Sequence, residues 1–295
     1  MTFSSFDFIF VFLPVFLMLY YIVPAKRRSL VLFLGSVLFY VYGTLASPVS
    51  MILLAALTVL TYFTGIAISR EEVKSRVLPG LILAVMFGLL VFFKYNGFFL
   101  RENTFALPLG ISFYIFSMSS YIIDVYTGRT EAEGSFVRYG AYVMMFPKLL
   151  SGPIAPYRSV SDDMRLVDEQ ESRVRFRNID GGVRTFIYGL GLKVLVADRL
   201  SGLWHEVGGI GYDSLSVPMA WLGVLAFSLR LYFDFFGYSL MAMGVGEMLG
   251  YRLPENFRDP YAAVTMADFW RRWHITLGAW FRDYIYIPLG GSRCS

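Results

Sequence analysis

Between Phe6 and Phe93 the chain is built almost entirely of apolar residues, interrupted only by short basic or turn-forming clusters. Phe6 to Val23 ends at Lys26, Arg27 and Arg28. Leu30 to about Leu45 and Val49 to Ile68 flank a Ser47-Pro48 turn, and Arg70, Lys74 and Arg76 precede Val77 to Phe93. Stretches of about 20 apolar residues cross a bilayer as helices, because lipid offers backbone polar groups no partner outside a helix or a closed barrel. The composition agrees: 56% of residues are hydrophobic, 16% are charged and the mean hydropathy is +0.56, which excludes an ordinary soluble domain. The expected fold class is an all-α polytopic membrane protein, a multi-helix bundle with re-entrant or broken segments. Its 295 residues form one integral membrane domain over 1–295, with room for about eight to ten spans.

Charge sets the expected topology. Nothing basic precedes Phe6, and basic clusters follow the first and third apolar stretches, so the positive-inside bias places the N-terminus outside the cytoplasm of a multi-pass plasma-membrane protein. The net charge of +4 reads as this bias, with no nucleic-acid footprint. One cysteine excludes an internal disulfide, and two histidines argue against a multi-histidine metal centre. No internal repeat of the kind common in transporters is visible.

Further along, Leu107 to Tyr126 forms another span, its serines and Gly110 suited to helix packing or to substrate contact. Tyr139 to Leu150 is too short to span and is followed by Ser151-Gly152-Pro153, so a re-entrant segment on the wall of an active-site funnel is expected. Arg158 to Asp180 reads as a polar surface helix, Gly182 to Val196 as a closely packed helix and Val217 to Leu249 as a long span with an Arg230–Asp234 pair.

The stretch from Pro254 to Arg293 departs from this pattern. It is aromatic and apolar, yet it carries Asp268, Arg271, Arg272, His274, Arg282 and Asp283, each penalised by ~3 kcal/mol at the bilayer centre. It should therefore face protein or water. Thr265-x-x-Asp268 resembles a capping box, which predicts a helix from about Met266 to Ile287, stopped by Pro288 and Gly290-Gly291. On such a helix Asp268 pairs with Arg272, and Arg271, Gly278 and Phe281 lie near the face of His274.

Three sets of residues carry a resemblance: Pro254-Glu255-Asn256-Phe257, Phe269-Trp270-Arg271-Arg272-Trp273-His274-Ile275, and the run from Trp280 through Tyr286-Ile287-Pro288-Leu289-Gly290-Gly291. With Leu107–Tyr114 and Tyr232–Ser239, they resemble the membrane-bound O-acyltransferase family in order along nearly the whole chain. The branch implied is that of the bacterial alginate O-acetyltransferases, with teichoic-acid D-alanyl transferases more distant. The resemblance implies acyl transfer, most simply of acetyl, from a cytoplasmic donor such as acetyl-CoA to hydroxyls of an exported polysaccharide. It implies extracytoplasmic partner proteins and contact with bacterial membrane lipids, and no tightly bound cofactor or metal. The candidate site residues are His274 in a supporting catalytic role and Asn256, Arg271, Arg272, Trp270 and Asp234 in substrate binding. The family uses a second histidine some tens of residues beyond the Leu-Gly-Gly block, past the position of Ser295, where this sequence stops. A C-terminally shortened form is therefore expected, with an inactive fragment as one alternative. Gly202-Leu203-Trp204-His205 imitates the missing motif but precedes His274, which reverses the family order. A donor-phosphate site at Arg173, Arg175 and Arg177, a scaffold or transporter, and a teichoic-acid or lipid acceptor also stay open.

Overall fold

A computed structural model describes residues 2–45, 47–70, 76–100, 105–169, 175–211 and 214–291, and every regular element among them is helical. Helix α1 (Asp7–Ile22) begins with six residues of π-helix and becomes α-helical at Leu13. The register change falls beside Pro14, whose missing N–H would otherwise interrupt the ladder. Helices α2 (Arg28–Thr44), α3 (Pro48–Ser69), α4 (Val77–Leu100) and α5 (Ile111–Tyr126) follow. The buried hydroxyls of Thr58, Thr61 and Thr64 on α3 each donate to the carbonyl four residues back, at 2.6–2.7 Å, so no polar group is left bare inside an apolar helix.

Three helices among the described residues are long and apolar enough to cross a membrane: Pro48–Ser69, Val77–Phe98 and Val217–Met248. The expected count of about eight to ten also included shorter apolar stretches such as Asp7–Ile22. The shorter helices α1 and α2 also turn apolar side chains outward, Phe10, Met18 and Ile22 on α1 and Leu34 and Leu38 on α2, while residues 139–149 are packed inside the bundle, where protein replaces lipid as the surrounding medium.

The expected re-entrant segment is present as α6 (Phe136–Met144) and α7 (Phe146–Leu149), separated at Met145, whose backbone leaves the helical region (φ −46°, ψ 104°). The N–H of Phe146 donates across the break to Ser36 Oγ of α2 at 3.2 Å. Residues 139–149 are all buried. The Phe146 ring lies 5.2–6.4 Å from the rings of Phe3, Phe8, Phe12, Phe16 and Phe39, so this broken segment is the centre of the core. Gly110, at the head of α5, has φ 72°, and a Cβ there would stand 2.4 Å from the Leu149 carbonyl oxygen. The Leu-Pro-Leu-Gly stretch thus closes a helix contact, which answers the choice between packing and substrate contact for Gly110.

Helix α8 (Tyr157–Glu169) buries Tyr157, Val160, Ser161 and Met164 and leaves its opposite face charged, as an amphipathic surface helix should. Helix α9 (Arg175–Gly191) is laid along α11 (Val217–Met248), and residues 170–174, within the expected 158–180 helix, lie outside the described residues. Arg173 and the side chains of Arg175 and Arg177 lie outside the described residues. The α9–α11 contact is made by two reciprocal glycine pairs. A Cβ on Gly182 would meet the Gly244 carbonyl at 2.5 Å, and one on Gly189 the Gly237 carbonyl at 2.6 Å, as the expected close packing requires. A second π-turn (Leu192–Ala197) leads into α10 (Asp198–Ile210).

After α11 the chain forms a hairpin over residues 251–286. Tyr20 donates to the Leu249 carbonyl and Tyr21 to that of Met248, so the end of α11 sits with the end of α1. From there the ascending arm climbs α11 in reverse order: Asn256 bonds Ser239, Phe257 packs on Phe235 and Phe236, and the Tyr261 hydroxyl reaches the Ser228 carbonyl. The descending arm is α12 (Met266–Arg272), α13 (Ile275–Phe281) and a π-turn (Arg282–Tyr286), and it returns along α5. Trp280 Nε1 donates to the Phe116 carbonyl and the Tyr284 hydroxyl to Asp124.

Candidate active site

The predicted single helix from Met266 to Ile287 is broken at its most polar point. Thr265 caps α12 as expected, its hydroxyl accepting from Asp268 N at 3.1 Å. The Asp268 carboxylate meets Arg272 at 2.9 Å and Arg271 at 3.8 Å. Trp273 then turns extended, and His274 takes a left-handed conformation (φ 43°, ψ 54°) as the residue preceding α13.

The reason for the break is tertiary. In a continuous helix the Ile275 N–H would bond the Arg271 carbonyl. Here it donates to the Asn256 carbonyl at 2.8 Å, while the Arg272 carbonyl accepts from Arg258 N at 3.0 Å. Two cross-arm bonds thus replace helical ones, and they place His274 at the joint between α12 and α13. The same break removes Arg271 from the face of Gly278 and Phe281, which corrects the expectation of one shared helix face.

The His274 ring stands edge-on to Phe235, with centroids 4.8 Å apart at 85°. Phe235 lies about 20 Å along α11 from Met248 at 1.5 Å per residue, so the half-buried imidazole stands near the middle of that helix's length. Nδ1 is enclosed and has no hydrogen-bond partner among the described residues. Burial holds the imidazole pKa down to about 4, so this hairpin histidine, which is outside the spanning helices, is neutral at neutral pH.

Asn256, a candidate for substrate binding, is held within the joint. Its Nδ2 donates to Ser239 Oγ at 3.0 Å and its Oδ1 accepts from Thr276 Oγ1 at 2.5 Å. Thr276 Oγ1 also accepts from Ile154 N at 3.2 Å, which brings the loop after α7 against the hairpin. With both ends of its amide engaged and its side chain fully buried, Asn256 positions His274.

The other candidates are distributed differently. Trp270 is 61% exposed and the Arg271 side chain 73%, on a face that no described residue covers; Arg272 is half-buried against Asp268. Asp234 neighbours Phe235 in sequence, but its carboxylate pairs with Lys193 at 2.8 Å, not with Arg230, and Lys193 also holds Asp198 at 2.7 Å. The Arg230–Asp234 expectation fails because α9 and its π-turn bring a lysine from another helix within reach. His205 is exposed on α10, away from the hairpin. Ser295, past which the family's second histidine is expected, lies outside the described residues, as do Ser292, Arg293 and Cys294. The site described is therefore the His274 side of the expected pair.

Residues that sequence reasoning passed over include Thr276, Ser239, Ile154 and Phe235. The signal for Ser239 was a small hydroxyl residue closing the aromatic run from Tyr232; for the Ile154 N–H there was none, since any residue but proline supplies one. A neutral imidazole on a half-buried joint fixed by a satisfied amide, with no protein group among the described residues engaging Nδ1, keeps the capacity to accept a proton.

The chain is similar in sequence to several named proteins. The probable alginate O-acetylase AlgI of Pseudomonas aeruginosa is 40% identical over 314 residues, covering 100% of this chain and 58% of its own length. The peptidoglycan O-acetyltransferase of Helicobacter pylori is 33% identical over 331 residues, 97% of this chain and 61% of its own. The teichoic acid D-alanyltransferase of Bacillus subtilis is 30% identical over 187 residues, 61% of this chain and 45% of its own. The chain thus spans about three-fifths of the first two relatives. With residues 38–295 matching the family as a whole, the chain belongs to the membrane-bound O-acyltransferase family.

Proposed function

We propose that this chain carries the histidine-bearing part of an enzyme that transfers an acyl group, acetyl by first choice, onto hydroxyls of an exported polysaccharide. The observation that carries this reading is His274: neutral, half-buried at the joint of the hairpin against Phe235 of α11, with Nδ1 enclosed and without a partner among the described residues. A general base so placed contributes about 10²–10⁴-fold, and a water-poor bundle protects an activated donor from hydrolysis. The donor in this reading is acetyl-CoA, presented from the cytoplasm, and the acceptor a polysaccharide such as alginate, as two relatives are named for O-acetylation. Arg271, Arg272 and Trp270 form the open wall facing the acceptor or the reacting carbonyl; Asp234 serves the α9–α11 interface. Extracytoplasmic partner proteins complete the transfer. The protein sits in the plasma membrane with its N-terminus outside, a reading supported by the basic cluster at Lys26–Arg28.

The test is complementation. Full-length protein, either unaltered or carrying His274→Ala, would be expressed in a polysaccharide-producing strain lacking its own acetylating enzyme, and base-labile acetate on the exported polymer measured. The substitution should lower it by about 10²-fold, and equal acetate from both proteins overturns the reading. D-alanyl esters on teichoic acid in place of acetate would move the acceptor to the D-alanyltransferase branch.

A further inference from the structure

At the far end of the descending arm from His274, Asp124 on α5 is fully buried (0% exposed). Its Oδ2 accepts from the Tyr284 hydroxyl at 2.7 Å, and its Oδ1 has no hydrogen bond among the described residues. Two arginines balance its charge from a distance, Arg129 and Arg158, each at 3.7 Å. Arg158, from the start of α8, makes its short contact with Asp283 at 3.0 Å, beside Tyr284 on the π-turn. The arm is therefore tied at three successive levels: Thr276 to Asn256, Trp280 to the Phe116 carbonyl, and Tyr284 to Asp124. A buried carboxylate is a costly anchor, and an isolated tyrosine would pack without one. What the pair adds is a fixed height and rotation for α13, and the residue immediately before α13 is the left-handed His274.

We propose that Asp124 and Tyr284, seconded by Arg158 through Asp283, form a positioning clamp that sets the orientation of the His274 imidazole, and that the clamp ties this orientation to the surface helix α8. The inference rests on the acyl-transfer reading for its consequence in turnover, but not for its geometry. Neither residue touches the imidazole; both act through α13.

The experiment compares Tyr284→Phe, Asp124→Ala and Asp124→Asn in the full-length protein in membranes, with two readouts. In turnover, Tyr284→Phe and Asp124→Ala should lower kcat about tenfold, since small misplacements of a catalytic group carry penalties of that order or more. Donor KM should stay within about twofold, because no binding group is removed. Asp124→Asn retains an acceptor for the tyrosine hydroxyl and should recover most of the loss. The second readout is modification of His274 by diethyl pyrocarbonate, followed at its peptide by mass spectrometry, with exposed His205 as internal reference. The His274 rate should rise several-fold in Tyr284→Phe and Asp124→Ala while the His205 rate stays constant. Unchanged His274 reactivity in those variants overturns the clamp, as does Asp124→Asn behaving like Asp124→Ala, or a fall in activity that only tracks a fall in membrane abundance. If the unmodified protein transfers no acyl group, the acyl-transfer reading fails, and the modification rates alone decide the clamp.

Discussion

His274 combines three properties in one residue: a positive φ, an enclosed Nδ1 and a carbonyl that accepts from Gly278 at the start of α13. A non-glycine residue in the left-handed region carries strain on the order of 1 kcal/mol or more, tolerated where the surroundings over-determine it. Glycine has no such penalty, so His274→Gly should be more thermally stable than His274→Ala by roughly 1 kcal/mol while both lose activity, as read by melting in detergent beside the acetate assay. Away from the hairpin, burial raises the pKa of Asp168 on α8, against the lowering effect of its bonds from Ser29. A carboxyl whose folded pKa exceeds its unfolded one contributes stability at low pH, and that contribution is lost as pH rises through the interval between the two. Asp168→Asn keeps an acceptor for the Ser29 hydroxyl, so at pH 7 it should melt no lower than wild type. As the pH is brought down toward the carboxylate range, the wild type should gain on it.

At the scale of elements, the two glycine pairs between α9 and α11 set how closely those helices lie. Gly189→Ala drives a Cβ to within 2.6 Å of a backbone carbonyl that cannot swing aside. Overpacking of this kind typically destabilises by about 1–3 kcal/mol. Gly191, two residues on, has open space where a Cβ would go, so Gly191→Ala should be neutral or slightly stabilising. Melting of the two variants side by side checks the pair, and equal loss in both would mean that α9 packs in another register. The hairpin teaches a related lesson: capping box, Asp268–Arg272 pair and terminating Pro-Gly-Gly read correctly from local spacing, while the break between them depended on partners in the ascending arm.

For the molecule as a whole, the ends of α1 and α11 and the surface helix α8 meet at one end of the bundle, near Lys26, Arg27 and Arg28. If that end is cytoplasmic, a cysteine at Lys26 should react with a membrane-impermeant maleimide only after permeabilisation, and one at Ser47, on the α2–α3 turn, in intact spheroplasts, with Cys294 replaced in both. The reverse pattern would invert the topology and move the donor side with it. The charged, exposed face of α12 carries Arg271 beside Trp270, and Trp273 at the end of that helix packs on Tyr232 of α11; lipid contact for such a face would be costly, so water or protein should cover it in the membrane.

By itself the sequence determined that the chain is helical, membrane-embedded and of this family, because hydropathy, caps, glycine spacing and the Trp-Arg-Arg-Trp-His block act over short range or along a whole chain. It also singled out His274. The tertiary structure alone decided that His274 sits at a break rather than mid-helix, that Asn256 holds the joint, that Asp234 answers to Lys193 and that Asp124 anchors Tyr284. Each of these depends on a hydrogen bond or ion pair between residues on different elements. Such a bond forms only when packing brings two groups within about 3 Å, and no local pattern in either segment announces its partner.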